Sequence, residues 1–320
     1  MLQANGLIEA LIQNQIYFQM KNNTVACNLC NSNNYTELFP AGKAQIHRIV
    51  KCNVCNLIYA NPQTDNVSEV EKNYAKSSIG NSNKGSGTTL NSFNPENHQY
   101  LNKQVLQLKD YSKIIDFVEN NKKGTFLEVG SYAGIFLNEA RKRGWEVIGI
   151  EPLEIPADYS EKTLGIKVIR RYFEEADLPK QSIDVVVACH VIEHVPDPTS
   201  FVKKAHTLLK TGGKLILETP TYDSLSFRLL KHRERSVRCD GHIYFFTTKT
   251  LRKLVEENGF KVVKHEKVGR TLTLDRLFYN LGVITGKKGF FTRISGKLKL
   301  NKFVIGINAK DIQRIYCDRI

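Results

Sequence analysis

The stretch 125–137, Thr-Phe-Leu-Glu-Val-Gly-Ser-Tyr-Ala-Gly-Ile-Phe-Leu, leaves a chain like this few ways to fold. An apolar run closes on an acid, Glu128, then turns through Gly130 and Gly134 into a helical pattern that ends at Arg143-Gly144. That is a strand, a tight turn and a helix. Glycine suits such a turn because it tolerates positive φ and lets a ligand approach the backbone closely. The next strand pattern, 146–150, leads into Glu151, twenty-one residues beyond Gly130. A carboxylate there can accept hydrogen bonds from ribose hydroxyls. Two acids therefore frame one turn suited to a nucleoside, although the same pattern also serves as a plain strand–helix turn in other α/β proteins.

Strand and helix periods alternate on either side of this turn. Over 100–120, Leu101, Val105, Leu108, Ile114, Ile115 and Val118 predict a long helix with a break or shift near Tyr111. Residues 155–164 read as a helix and 166–169 as a third strand. Val-Val-Val-Ala at 185–188 is a β-branched run fit for a central parallel strand buried on both faces. A helix over 201–209, stopped by Gly212-Gly213, leads to a strand at 214–218. A helix over 248–258 with Gly259 as C-cap leads to a sixth strand starting at 260–263. Residues 312–317 alternate in strand fashion and are expected to return antiparallel. Such alternation predicts an α/β fold, a doubly wound, mostly parallel sheet of seven strands with its ligands at the strands' carboxyl ends.

Ahead of this core, 1–24 carry Leu7, Ile8, Leu11, Ile12 and Ile16 at helical spacing and read as a short amphipathic arm. Cys27-Asn28-Leu29-Cys30 and Cys52-Asn53-Val54-Cys55 then form two C-x-x-C knuckles separated by twenty-one residues. Four thiolates so spaced predict a small zinc ribbon over 25–62, a module with too little apolar core to fold without a staple. Two disulfides would need an oxidising compartment, and a redox C-x-x-C would sit singly on a βαβ unit. Residues 63–99, rich in Asn, Ser, Gly and Lys over 76–91, read as a linker or a lid with Tyr74 as a contact. The core is expected over 100–268 and 309–320.

The net charge is +14, and +9 of it lies in 267–320, where twelve Lys or Arg meet three Asp. Within that span, 269–308 set Leu272, Leu274, Leu277, Phe278, Leu281, Phe290, Phe291 and Ile294 among Lys287, Lys288, Arg293, Lys297 and Lys299. This predicts an inserted basic helical cap that meets an anionic membrane or a lipid-linked glycan. A solvated lysine-rich tail would look similar. No apolar run is long enough to span a bilayer, and the first residues form no signal-like block. The expectation is a cytoplasmic protein, peripheral at most to the inner face of the membrane.

The motifs that follow the central strand carry a resemblance. His190-Val191-Ile192-Glu193-His194-Val195-Pro196-Asp197-Pro198, the Leu-Leu-Lys-Thr-Gly-Gly segment at 208–213, Glu218-Thr219-Pro220 and the run 240–247 together resemble the class I S-adenosylmethionine-dependent methyltransferases over about residues 100–320. They resemble most the branch with sugar methyltransferases and quinone-biosynthesis methyltransferases. The cysteine knuckles are similar to those of deoxysugar C-methyltransferases. The resemblance implies a Rossmann-like fold, S-adenosylmethionine as cofactor, and binding by Glu128, Gly130, Gly134, Glu151 and His190. In the family's E/D-x-G-x-G-x-G turn the middle glycine falls on Tyr132. The acid that often contacts the adenine amino group falls at about Tyr172, leaving the backbone N–H of Phe173 as its substitute.

The chemistry itself asks for little. Methyl transfer from a sulfonium is an in-line displacement, so the protein must align nucleophile and methyl and remove a proton where the acceptor needs it. His194 is expected as the base, oriented by Glu193 or His190, because histidine titrates near neutrality without help. Its alternative is a histidine that caps the loop. His242 and Tyr244 are candidates for the substrate wall. The expected acceptor is a small molecule, a sugar, nucleotide-sugar or glycan intermediate. An rRNA or tRNA methyltransferase using the cysteine module is disfavoured because no interleaved aromatic–basic surface appears. A nicotinamide-dependent oxidoreductase is disfavoured because the turn lacks G-x-G-x-x-G spacing. A non-catalytic binding domain with the same fold is the remaining alternative.

Overall fold

The computed structural model describes residues 24–45, 47–63, 99–119, 123–239 and 241–320. The expected N-terminal arm and the linker or lid, Tyr74 included, lie outside the described residues apart from their edges.

Three short strands come first, β1 (Tyr35–Phe39), β2 (Ile49–Cys52) and β3 (Ile58–Ala60). They pair antiparallel, and β3 pairs in turn with β9 (Tyr244–Phe245), so one small sheet runs β1-β2-β3-β9. The cysteine module is therefore joined edge to edge with a strand of the main domain. Its Val50, Leu57 and Tyr59 share one buried cluster with Leu127, Val186 and Phe246.

Helix α1 (Gln99–Val118) runs unbroken where the sequence predicts an interruption near Tyr111. Tyr111 packs against Phe136 at 5.7 Å between ring centroids, and Ile114, Ile115 and Val118 are fully buried, so the apolar face continues through that point. The chain then passes through β4 (Thr125–Val129), α2 (Ile135–Lys142), β5 (Glu146–Ile150), α3 (Glu154–Leu164), β6 (Lys167–Ile169), β7 (Ile183–Cys189), α4 (Pro198–Leu208) and β8 (Leu209–Pro220). Helices α5 (Leu225–Leu230) and α6 (Thr248–Glu256) flank β9, and the chain closes with β10 (Phe260–Thr273), α7 (Leu274–Thr285), α8 (Lys288–Lys297) and β11 (Val304–Arg319). Sequence-coded caps set several of these ends. Asp197 accepts from the Ser200 N–H with Pro198 at the first turn of α4, and Thr247 and Thr250 close a capping box on α6.

The main sheet has seven strands in the order β10-β11-β8-β7-β4-β5-β6. Only β11 runs antiparallel to its neighbours, as expected from 312–317. Both faces of β7 are covered. Val185 and Val187 pack with Ile114 and Ile115 on one face, while Val186 and Ala188 pack with Phe201 and Val202 on the other. Each such valine contributes about 1.5–3 kcal/mol by leaving water. The carboxyl end of β7 is thereby anchored, and the loop that follows it starts from a rigid base.

The last two strands are longer than the sequence pattern suggests. Their register runs from Phe260↔Arg319 to Thr273↔Val304, but only 312–318 of β11 pair with β8. The outer halves pair with each other and carry the chain beyond the sheet. The helical cap expected over 269–308 is accordingly confined to the hairpin tip, from Leu274 onward. Thr271 N–H donates to Asp110 Oδ2 at 2.7 Å and Arg270 pairs with Asp311, which ties this outer ladder to α1 and closes it on itself.

Candidate active site

Two loops meet above the carboxyl ends of the central strands. The first is the glycine turn after β4. Gly130 (φ +72°) and Gly134 (φ +71°) both lie in the left-handed region. A Cβ on Gly130 would fall 2.7 Å from Val191 Cγ2, and one on Gly134 would fall 2.3 Å from Ser160 Oγ. Both glycines are required by φ and by space. Tyr132, at the family's middle glycine, adopts φ +48° and holds that conformation by burying its ring beside Ile155 and Tyr159. A non-glycine residue there costs about 1–2 kcal/mol.

Two buried carboxyls face this turn. Glu151 Oε2 accepts from the Tyr132 N–H and Oε1 from the Leu153 N–H, each at 2.9 Å. Burial nevertheless pushes its pKa up from 4.5 to about 7. Burial, then the nearby Glu151, push Glu128 well above the usual carboxyl range, and its Oε2 has no hydrogen-bond partner among the described residues. An unpartnered buried oxygen beside a bare glycine backbone is what a nucleoside with hydroxyl and amino donors would satisfy, so the residues present fit S-adenosylmethionine. Glu128, Gly130, Gly134 and Glu151 come together here, with the backbone of Tyr132.

Val191 places the second loop directly against the first. This loop follows β7 and starts at His190, whose φ is +58° and whose N–H donates to Glu218 O at 2.8 Å. The His190 ring lies between two buried acids, with Nδ1 3.3 Å from Glu193 Oε1 and Nε2 3.4 Å from Glu218 Oε1. Glu193 Oε2 accepts from Thr219 Oγ1 at 2.9 Å. Glu218 Oε2 accepts from Arg314 Nε at 2.7 Å and Nη2 at 2.6 Å, the two residues standing opposite each other across β8 and β11. Burial opposes a charge on His190, but the two carboxylates outweigh it and raise its pKa. Burial would lift Glu193 too, yet the hydrogen bond with His190 brings it down to about 2. The pair of acids thus favours the protonated form of His190 against the cost of burying it.

His194 is in the opposite condition. Its Nδ1 lies 2.9 Å from Gly241 O, and a carbonyl only accepts, so Nδ1 carries the proton and Nε2 the lone pair. Burial lowers its pKa, partly offset by Glu193. His242 stands edge-on at 4.6 Å between ring centroids, and burial, then His194, push its pKa down to about 3. Two neutral imidazoles and a carboxylate therefore line this corner. Glu193, His194 and His242 present ligand atoms within 4.8 Å of one another.

Other sequence candidates are placed differently. Phe173 opens a short 3₁₀ turn, where the first N–H groups have no intrahelical partner, but its ring is packed on Phe201 at 4.6 Å in the core. Tyr172, just before it, is half-buried. Tyr244 lies in β9 with its hydroxyl donating to Pro196 O and accepting from Gln63 Nε2, both at 3.0 Å, which makes it a junction residue between module and core. Glu218 appears in the sequence only as part of a motif, and Arg314 not at all. Its one signal is a charged residue in an otherwise apolar strand pattern.

The four module cysteines converge. Cys27 Sγ is 3.4 Å from Cys55 Sγ and Cys30 Sγ 3.5 Å from Cys52 Sγ, with all four sulfurs within 4.8 Å of one another. A zinc tetrahedron with Zn–S bonds of about 2.3 Å has S···S edges of roughly 3.8 Å. The set fits such an ion. Asn31 (φ +57°) and Asn56 (φ +65°) turn the chain back just after each knuckle. The module also holds the histidine corner: Asn28 Nδ2 donates to Asp197 Oδ1 at 2.8 Å, and Gln45 Nε2 donates to His242 O at 3.4 Å.

Comparison with known proteins places the chain in a family. Residues 101–265 match the family described as a methyltransferase domain. An uncharacterised methyltransferase of Geobacillus is 30% identical over 169 residues, covering 49% of this chain and 79% of the relative. A ubiquinone biosynthesis O-methyltransferase of Pseudomonas paraeruginosa is 34% identical over 101 residues, but this chain spans only 44% of its length. Among solved structures, a SAM-dependent methyltransferase of Thermotoga maritima aligns with 69% of this chain and 94% of its own, at 20% identity and a TM-score of 0.48. The family match spans the glycine turn, both acids and the histidine loop, and the chain belongs to the methyltransferase domain family as a class I S-adenosylmethionine-dependent enzyme.

Proposed function

We propose that this enzyme methylates a small hydroxylated acceptor, a sugar, nucleotide-sugar or glycan intermediate, with His194 as general base. The observation that supports the reading is the His194 tautomer, set by Gly241 O so that the lone pair is on Nε2, in the loop whose Val191 lies against Gly130 of the glycine turn. Glu128, Glu151 and the backbone of 130–134 would hold the cofactor, which supplies an electrophilic methyl group. Glu193 faces the imidazolium that forms when His194 takes the acceptor's proton. His190, already paired with Glu193 and Glu218, fixes the position of the carboxylate and does not itself accept a proton. A structural zinc on Cys27, Cys30, Cys52 and Cys55 would hold the module that backs His242.

Similarity to ubiquinone biosynthesis O-methyltransferases and the convergence of Glu193, His194 and His242 favour a second reading. In it the acceptor is an aromatic hydroxyl, and a divalent cation on these three residues lowers its pKa in place of a base. Transfer of labelled methyl to a panel of nucleotide sugars, lipid-linked saccharides and dihydroxybenzoates, with and without chelator, separates the two. Transfer to the sugar panel that survives chelation supports the first reading. Chelator-sensitive transfer confined to the aromatic acceptors supports the second.

A further inference from the structure

The hairpin tip beyond the sheet takes no part in either site. From Arg276 to Lys310 the chain carries eight Lys or Arg and no Asp or Glu. Helices α7 and α8 pack on each other through Phe278 and Phe291, whose centroids are 6.2 Å apart. That packing leaves Phe290 61%, Leu298 59%, Phe303 56% and Val304 50% exposed. Arg293 and Lys297, both exposed, fall on the Phe290 side of α8 by their i+3 and i+7 spacing, and Lys299 and Lys302 lie between Leu298 and Phe303. Phe303 is held at the base of the tip, where its carbonyl accepts from the Leu274 N–H at 2.9 Å.

Single exposed apolar residues are ordinary, but four large ones within fifteen residues of an all-cationic segment are not. A polyanion such as RNA would satisfy the charges and leave Leu298 and Val304 in water. Protein interfaces are depleted in lysine, which is abundant here. Lysine and arginine around aromatic and aliphatic side chains suit the boundary between acidic headgroups and acyl chains. Among the described residues no helix is long and apolar enough to cross a membrane, so the contact would be superficial.

We propose that the tip formed by α7, α8 and the chain to Val304 docks on an anionic lipid surface. Phe290, Leu298, Phe303 and Val304 enter the headgroup–acyl boundary, and the surrounding basic residues lie over the acidic headgroups. The enzyme then works at a bilayer, whichever hydroxylated acceptor it uses.

The test is sedimentation of the whole protein with vesicles of phosphatidylcholine containing about one-third phosphatidylglycerol, beside pure phosphatidylcholine. Binding should be at least roughly tenfold tighter to the acidic vesicles and should weaken as salt rises from about 50 to 500 mM. Each cation near an acidic bilayer is worth about fivefold, so Lys297→Glu/Lys299→Glu/Lys302→Glu should lose on the order of a hundredfold. Phe290→Ser/Phe303→Ser should also lose about tenfold or more, with circular dichroism and S-adenosylhomocysteine affinity unchanged to show an intact fold. No binding to acidic vesicles at low salt overturns the proposal. Full binding by the phenylalanine variant, with RNA retained as tightly as lipid, overturns it in favour of a polyanion site. A concentration-dependent dimer abolished by the same variant overturns it in favour of self-association.

Discussion

Cofactor affinity should depend on pH through Glu151, and the dependence can be worked out from its burial. Its pKa is pushed up by burial to about 7, against an ordinary 4.5. A ribose donating two hydroxyls to this group requires the carboxylate, so binding must first remove the proton wherever Glu151 is protonated. Affinity is then flat above about pH 7 and falls tenfold per unit below it, about 1.4 kcal/mol each. Between pH 8 and 5.5 the loss comes to roughly 30-fold, or about 2 kcal/mol. The ligand of choice is S-adenosylhomocysteine, which lacks the sulfonium charge. Calorimetry in buffers of different ionisation enthalpy should show release of nearly one proton at about pH 6. Glu151→Gln should bind more weakly at pH 8, by about 1.5–3 kcal/mol, and lose the slope. The same shift makes a stability statement. A carboxyl whose folded pKa is raised favours the protonated fold, so the cofactor-free protein loses up to about 3 kcal/mol as pH climbs from about 4.5 to 7. A dissociation constant that changes less than threefold from pH 8 to 5.5, or an unaltered slope in Glu151→Gln, would refute the reasoning.

Three further outcomes follow from the site. His194→Ala should lower turnover by about 10²- to 10⁴-fold with cofactor affinity unchanged, and the acidic limb of the native pH–rate profile should lie below the ordinary histidine value, because burial lowers this ring's pKa; full turnover in the variant would move the base elsewhere. Arg314→Met should destabilise the fold by about 3–5 kcal/mol in denaturant titrations, since it takes the guanidinium from a buried carboxylate and leaves Glu218 with His190 alone, and Arg314→Met/Glu218→Gln should recover much of that loss. Elemental analysis should find about one zinc per chain, and Cys52→Ser should lower the melting temperature and acceptor turnover together, because β3 pairs with β9 just after His242; a metal-free protein of unchanged stability would end that idea.

The periodicity of the chain was enough for the sheet, its single antiparallel strand and the glycine turn. Each depends on local rules: apolar alternation, glycine at positive φ, and an acid leading off a strand's carboxyl end. The knuckles were legible for the same reason, since four thiols at fixed spacing leave few other uses. The expected break in α1 fails because Tyr111 finds Phe136, a partner 25 residues away that no window of α1 contains. The hairpin outgrew its sequence signal because residues 270–273 and 304–307 pair with each other and need no buried face to alternate against. Side-chain roles were the least legible. Histidine chemistry depends on which nitrogen holds the proton, and here that is set by Gly241 O for His194 and by Glu193 and Glu218 for His190, groups brought in from other loops and strands. Arg314 reaches Glu218 across 96 residues only through the register of β11 on β8. Composition and local pattern determined which elements form, while charge state and partnership, which depend on burial and on contacts distant in sequence, were decided only when those elements packed.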